Sequence, residues 1–278
     1  NVRGWVKLAI CSAYVGSLGI VLGIALMLIA GAEPLLATIT SYITGTCSIC
    51  FFASMLLLCV NFATQRYVDR AKPKQYLMLG GRAVLWHTVQ AFLACERIHV
   101  LRVVIHPDDL ALYNSAVAGI EDARLVVPVP GGASRASSVR LGLEALQAVA
   151  PENVLIHDAA RPFCTTNLIA SVLEPLTEVE GAFAALPVVD ALWKAEGAEK
   201  ISPVSRDSLW RAQTPQAFRY EAILAAHANG DVGAADDVEI ARNAGLTVRV
   251  VKGTEENFKI TLPEDLVRAE QVLKWWRP

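Results

Sequence analysis

Charge is spread so unevenly along this chain that its two parts read as if shaped by different solvents. Before Arg66 the only charged residues are Arg3, Lys7 and Glu33, and every other charged side chain lies in the rest of the sequence. The uncharged runs Leu8 to Ala32 and Leu35 to Gln65 each exceed the roughly 20 apolar residues that a helix needs to cross a hydrocarbon core. Glu33-Pro34 between them is a helix stop and a turn. Residues 1–70 are therefore expected to form a two-helix transmembrane hairpin, with membrane attachment through residues 8–65. Arg3 and Lys7 flank one end, and Arg66, Arg70, Lys72 and Lys74 the other. The positive-inside rule then places both ends, and the domain that follows, in the cytoplasm. A buried helical hairpin of a soluble domain is the competing reading. A signal peptide fits poorly, because a second long apolar run follows the first.

The overall balance excludes one class of partner. With 25 basic and 27 acidic side chains there is no cationic excess to neutralise a phosphate backbone, so no nucleic acid is expected. Four of the six cysteines (Cys11, Cys47, Cys50 and Cys59) fall in the uncharged front segment, and Cys95 and Cys164 lie far apart behind it. Cys47-x-x-Cys50 sits in an apolar run with no second Cys or His pair nearby. That setting suits small packed residues better than a zinc or redox motif, and no protein metal site is expected.

Residues 71–278 have another grammar. Short β-branched runs alternate with amphipathic stretches, the pattern of an α/β fold with helices on both faces of a mostly parallel, Rossmann-like sheet. Strands are predicted at Leu101–His106, Arg124–Val129, Val154–His157, Ala182–Val188 and Thr247–Val251. Helices are predicted at 83–95, 108–118, 137–149, 167–176, 220–229, 236–243 and 263–274. Residues 187–216 break the rhythm and are expected to form an arm protruding from the sheet.

Ligands of open α/β sheets bind beyond the carboxyl ends of strands, and four clusters fall at such places. They are Pro73-Lys74-Gln75-Tyr76, the Gly131-Gly132 loop running to Ser138, His157-Asp158-Ala159-Ala160-Arg161, and Asn257-Phe258-Lys259. Singly each is ordinary. A lysine before a helix is commonly a solvated charge, Gly-Gly is commonly a turn, and His157 reads more readily as a packed histidine than as a base. Together, lysines, an arginine, an aspartate and a Gly-Ser loop are what phosphoryl or nucleotidyl transfer requires, because that chemistry depends on positioning and cationic stabilisation. No nucleophile elbow and no zinc-ligand spacing compete with this reading.

In order along the chain, PKQYLMLGGRAVLWHTVQAF, GGASRASSVRLGL, VLIHDAARPF, LWRAQTPQAF and NFKITLPEDLVRAE resemble the 2-C-methyl-D-erythritol 4-phosphate cytidylyltransferases over about residues 72–273. The resemblance implies transfer of CMP from CTP to methylerythritol phosphate, with magnesium, giving CDP-methylerythritol and pyrophosphate for isoprenoid precursors. It implies catalytic roles for Lys74, for Arg206, which positions the attacking phosphate, and for Lys259, which bridges both substrates. It implies substrate contacts at Gly132, Ser138, Asp158, Arg161 and Thr214. It also implies a homodimer, in which the arm carrying Arg206 reaches the neighbouring subunit.

The pattern breaks at the front. The family opens with a strand and an Ala-Ala-Gly-x-Gly-x-Arg-Met loop around the triphosphate, and nothing like that loop precedes Pro73. In a doubly wound sheet the first strand is central, so its loss predicts two unpaired edges in the sheet interior. The alternatives this opens are a membrane-tethered, catalytically inactive pseudoenzyme and a chimeric fusion. Ala191 and Ala235 stand where the family usually has threonine.

Overall fold

The computed structural model describes residues 72–197, 200–229 and 233–276. The expected transmembrane hairpin, with its attachment residues 8–65, and the Cys47-x-x-Cys50 pair lie outside these residues. Among the described residues no helix is long and apolar enough to cross a membrane.

The described part begins with a single 3-10 turn, Lys74–Tyr76, that leads into a tight hairpin of β1 (Met78–Leu79) and β2 (Arg82–Ala83). Gly80 and Gly81 make its turn at φ of 56° and 83°, a conformation that costs glycine nothing because it has no Cβ. Helix α1 (Val84–Leu93) follows directly. Next come β3 (Val104–Ile105), α2 (Leu110–Ala116) and β4 (Val129–Pro130), with β3 and β4 paired in parallel. The Gly-Ser loop then enters α3 (Arg135–Glu144). Ser134 caps that helix by accepting from the Ser137 backbone N–H at 3.1 Å, which satisfies one orphan donor of the first turn.

The main sheet is built from the second half of the chain. Its strands are β5 (Asn153–Ile156), β6 (Gly181–Pro187), β9 (Trp210–Arg219) and β10 (Val248–Lys252), in the order β10-β6-β9-β5. Between β5 and β6 lies α4 (Thr166–Leu173). Between β6 and β9 the chain makes a separate antiparallel ribbon, β7 (Leu192–Ala195) with β8 (Ile201–Val204). After β9 come α5 (Tyr220–Asn229) and α6 (Asp237–Asn243), and α7 (Pro263–Leu273) follows β10.

Strand β9 organises the core. Ala217 and Phe218 are adjacent in it and both wholly buried, and successive strand residues face opposite sides. Ala217 packs with Leu168, Ile169 and Val172 of α4 on one face. Phe218 packs with Leu143 of α3, Tyr220 and Ile223 of α5 and Ile240 of α6 on the other. Opposite Phe218 in the register stands Gly181, where a Cβ would come within 2.7 Å of the Phe218 ring. The small residue is what lets the ring lie across β6.

Three expectations need correction. The main sheet is mixed rather than mostly parallel: β6 and β10 pair in parallel, but β9 runs antiparallel to both β5 and β6. No crossover helix separates β6 from β9, so the chain returns beside its predecessor as a long hairpin. The arm is shorter than residues 187–216, because β9 starts at Trp210 and is buried from Gln213 to Phe218. Ladder pairing in the front half is also briefer. Arg124 is not a strand residue; its guanidinium donates to the carbonyls of Leu93, Cys95 and Ile98 and to Asp122.

Among the described residues, β3 pairs only with β4 and β5 only with β9, so each has an edge without a partner strand. A cleft of about 820 Å³ lies between them, walled by Val103 and Val104, by Val154 to Ile156, and by faces of α1 and α3. Among the described residues, the open edges of β3 and β5 thus lie on either side of this cleft.

Truncating Phe218 to alanine removes the ring that joins four elements. It should cost about 3–5 kcal/mol of stability, seen as a lower urea midpoint with little change in slope.

Candidate active site

Segments far apart in sequence meet around one carboxylate. Asp158 lies just past β5, and its Oδ2 takes Arg161 Nε at 3.0 Å and Lys259 Nζ at 3.1 Å. Burial opposes ionisation of Asp158, but the charges of Lys259 and then Arg161 outweigh it and hold the carboxyl below the usual range. Arg161 Nη1 donates to the Asn257 carbonyl at 2.8 Å, which fastens the loop bearing Lys259 to the loop bearing Asp158. Lys74, on the 3-10 turn, belongs to the same electrostatic cluster. Its pKa is pulled down first by burial and then by Lys259, while Asp158 works the other way.

The Asp158 loop is held from beneath by polar contacts. The Asp158 backbone N–H donates to Thr214 Oγ1 at 3.0 Å, and Thr214 Oγ1 lies 3.1 Å from His157 Nδ1. His157 Nε2 lies 3.0 Å from the Arg161 carbonyl, which can only accept, so Nε2 carries the proton. The Thr214 hydroxyl therefore donates to Nδ1 while accepting from Asp158. Desolvation pushes the His157 pKa down to about 4, and the ring is a neutral strut. Asn257, fully buried, donates to the Thr214 carbonyl at 2.7 Å, closing the circuit from β9 to the Lys259 loop.

The Gly-Ser loop forms another wall. A Cβ on Gly132 would lie 2.4 Å from Ser137 Oγ, and one on Gly131 2.8 Å from Ser138 Oγ. Both glycines are thus required by the close approach of α3. The Gly132 N–H donates to Ser138 Oγ at 3.0 Å. Ser138, His157 and Asp158 all line the cleft between β3 and β5.

A model of the 2-C-methyl-D-erythritol 4-phosphate cytidylyltransferase family matches residues 61–275. The chain belongs to this family. It is 52% identical over 201 residues to the 2-C-methyl-D-erythritol 4-phosphate cytidylyltransferase of Cereibacter sphaeroides, covering 72% of this chain and 88% of that relative. Two solved structures align with it. The cytidylyltransferase of Thermus thermophilus has a TM-score of 0.61 at 35% identity, covering 73% of this chain and 95% of its own. The 4-diphosphocytidyl-2C-methyl-D-erythritol synthase of Anaerococcus prevotii has a TM-score of 0.65 at 27% identity, covering 72% and 93%.

Within this cytidylyltransferase the structure brings Lys74, Asp158, Arg161, Thr214 and Lys259 into one cluster, with Gly132 and Ser138 on the loop before α3. Arg206 is not among them. It is exposed in the segment between β8 and β9, where its Nη1 donates to the Val189 carbonyl at the base of the ribbon. Among the described residues no group of three or more His, Cys, Asp or Glu side chains is placed to hold a metal. Asp265 is a member that sequence reasoning left out, and Asn257, placed in the Lys259 cluster, was given no role of its own. Asp265 Oδ2 accepts the Thr261 and Leu262 N–H groups at 2.8 Å each and shapes the turn after Lys259. Asn257 lies two residues before Lys259 in the same motif, and its amide was the available signal.

His157 also makes stability depend on pH. Its folded pKa lies below the ordinary 6.5, so the unfolded chain binds the extra proton first. Its contribution is complete above about pH 6.5 and is lost as pH falls toward about 4. Melting curves between pH 4 and 7 should show a shallower acid loss in His157→Gln than in the wild type. Parallel curves would remove His157 from this role.

Proposed function

We propose that this chain transfers CMP from CTP to 2-C-methyl-D-erythritol 4-phosphate, releasing pyrophosphate. A phosphate oxygen of methylerythritol phosphate forms the new bond to the α-phosphorus of CTP. The bond from that phosphorus to the bridging oxygen breaks, and its electron pair leaves with pyrophosphate. One observation carries the reading: Lys74, Arg161 and Lys259 gather around Asp158 at the mouth of a cleft in a chain of this family. Three cations around one carboxylate leave net positive charge, complementary to the equatorial oxygens of the transferring group.

In this reading Lys74 stabilises the charge that develops at the α-phosphorus, and Lys259 spans the two substrates. Asp158 and Arg161 hold Lys259 in place and meet the nucleotide and the acceptor phosphate. Gly132 and Ser138 receive the cytidine, and Thr214 fixes the loop that presents Asp158. Magnesium supplies charge neutralisation of the triphosphate when bound. The donor set suits an ion that arrives on phosphate oxygens with its waters rather than one caged by side chains. Asp158 is the carboxylate it would meet, since Arg161 and Lys259 both engage Oδ2 and leave Oδ1 to it.

Arg206 acts across a homodimer in this reading, positioning the acceptor phosphate in the neighbouring subunit. The ribbon supports that reading, because Trp193 and Ile201 on one face of it, and Val189 at its base, are large, apolar and exposed, and exposed apolar patches mark contact surfaces. The uncharged runs within residues 8–65 support attachment to a membrane, with the enzyme domain on the cytoplasmic side.

Pyrophosphate release from CTP and methylerythritol phosphate tests the activity. Lys74→Ala should lower it by about 10²–10³, and equal rates for variant and wild type would refute the assignment. Mixing Lys74→Ala with Arg206→Ala protomers tests the dimer separately. If Arg206 serves its neighbour, a mixed dimer holds one site with both residues intact and activity returns. If it serves its own subunit, every site keeps a lesion and none returns.

A further inference from the structure

Arg135 opens α3 at a place that disfavours a cation, because a helix N-terminus carries partial positive charge. Asp237 offsets this. Its side chain is wholly inaccessible, and its Oδ2 accepts from Arg135 Nη2 at 2.6 Å. Burial works against the arginine's charge, but Asp237 overrides it and the guanidinium pKa is raised. The other oxygen, Oδ1, lies 3.1 Å from Nε2 of His227, which is 1% exposed. A carboxylate removed from water is costly to keep unless it is paired on both sides, and this one is.

The pairing ties together the ends of three helices, two of which, α5 and α3, also meet where Tyr220 Oη donates to the Leu143 carbonyl at 2.8 Å. His227 comes from α5, Asp237 from the first turn of α6, and Arg135 from the first turn of α3. The preceding residue, Asp236, caps α6 by accepting from the Glu239 N–H at 3.0 Å and also accepts from Gln216 Nε2 of β9 at 3.1 Å. The brace therefore runs from the main sheet, through α6, to the start of α3. At that start the Gly132 N–H is tied to Ser138 Oγ and Ser134 is locked to Ser137. Arg135 itself lines the cleft together with Ser138 and Asp158. Yet Arg135 is 39% exposed, so the desolvated end of the brace is the acid and not the arginine.

We propose that the buried Asp237–His227 pair, acting through Arg135, is a positioning device that sets the Gly-Ser loop for recognition of the nucleoside half of CTP. The proposal rests on CTP being the nucleotide substrate. Arg135 and Asp237 are positioning residues: they govern where Gly132 and Ser138 stand rather than meeting the reacting atoms.

The test is equilibrium binding of CTP and of cytidine to the full chain, with KM for both substrates and kcat, for wild type, Arg135→Gln, Arg135→Lys and Asp237→Asn. Arg135→Gln should weaken CTP and cytidine by the same factor, roughly tenfold, which is the scale of losing one charge-assisted bond. KM for CTP should rise in step, while KM for methylerythritol phosphate and kcat stay within about twofold on the same reasoning. Arg135→Lys should recover part of the loss by re-pairing with Asp237, and Asp237→Asn should repeat the pattern. Melting temperatures are measured alongside. Because Arg135 is partly exposed, Arg135→Gln decides the question even if Asp237→Asn does not fold. A melting temperature that falls with both affinities unchanged makes the brace purely structural and overturns the proposal. A loss confined to CTP makes Arg135 a phosphate contact and overturns it too. A wild-type chain that binds neither ligand overturns the cytidylyltransferase reading and this proposal together, whereas wild-type binding with unaltered variants overturns this proposal alone.

Discussion

The site depends on one oxygen atom. Oδ2 of Asp158 receives Arg161 and Lys259 within 3.1 Å, and without that carboxylate the cations would face one another with nothing to reconcile them. Like charges gathered in a partly desolvated cleft repel far more strongly than on an open surface. Asp158 is therefore the counter-ion that lets an excess of positive charge exist at this place. Its own position is secured through its backbone, by Thr214, and through Arg161, which reaches the Asn257 carbonyl. The loops bearing Asp158 and Lys259 thus share one electrostatic reason to be where they are.

The residues that gather at Asp158 stood out in the sequence because the chemistry of phosphoryl transfer restricts residue type and place together. Lys74, Asp158, Arg161 and Lys259 each follow or precede an element whose apolar pattern was visible. The elements flanking them were legible for the same reason: α5 spans Tyr220–Asn229 as its pattern implied, and β5 and β6 lie within a residue of theirs. Strand β9 was obscured by its composition. Gln213, Thr214 and Gln216 are buried polar residues, and their burial is satisfied only by partners distant in sequence, such as Asn257 and Asp236. No local pattern could announce that. Arg124 misled for a related reason, since a guanidinium that closes three carbonyls looks in sequence like an ordinary charge at a strand end. The brace from His227 to Arg135 was silent because neither Asp237 nor His227 lies near the Gly-Ser loop in the chain.

The open edges of β3 and β5 join the sequence pattern to the structure. The family motifs run on from Pro73, and among the described residues the main sheet is continuous from β5 through β9 and β6 to β10. What remains on either side is well packed. Leu85, Val89, Val103 and Ile105 form one apolar cluster, and Val154, Phe218 and Ile223 another. The two halves of the domain thus keep separate cores flanking the cleft, while the cationic cluster and the Gly-Ser loop stand at its margin.

The Thr214 hydroxyl has a single proton, which makes its position in the network directional. That proton points to His157, so the oxygen is free to receive the Asp158 N–H, and His157 must present its own proton to the Arg161 carbonyl. The chain of bonds ends at a backbone carbonyl on one side and a backbone amide on the other, and every proton in it is already donated. A loop wired in this way behaves as an insulator beside the reaction: it keeps the carboxylate in register while giving protons no conductive route out of the cluster.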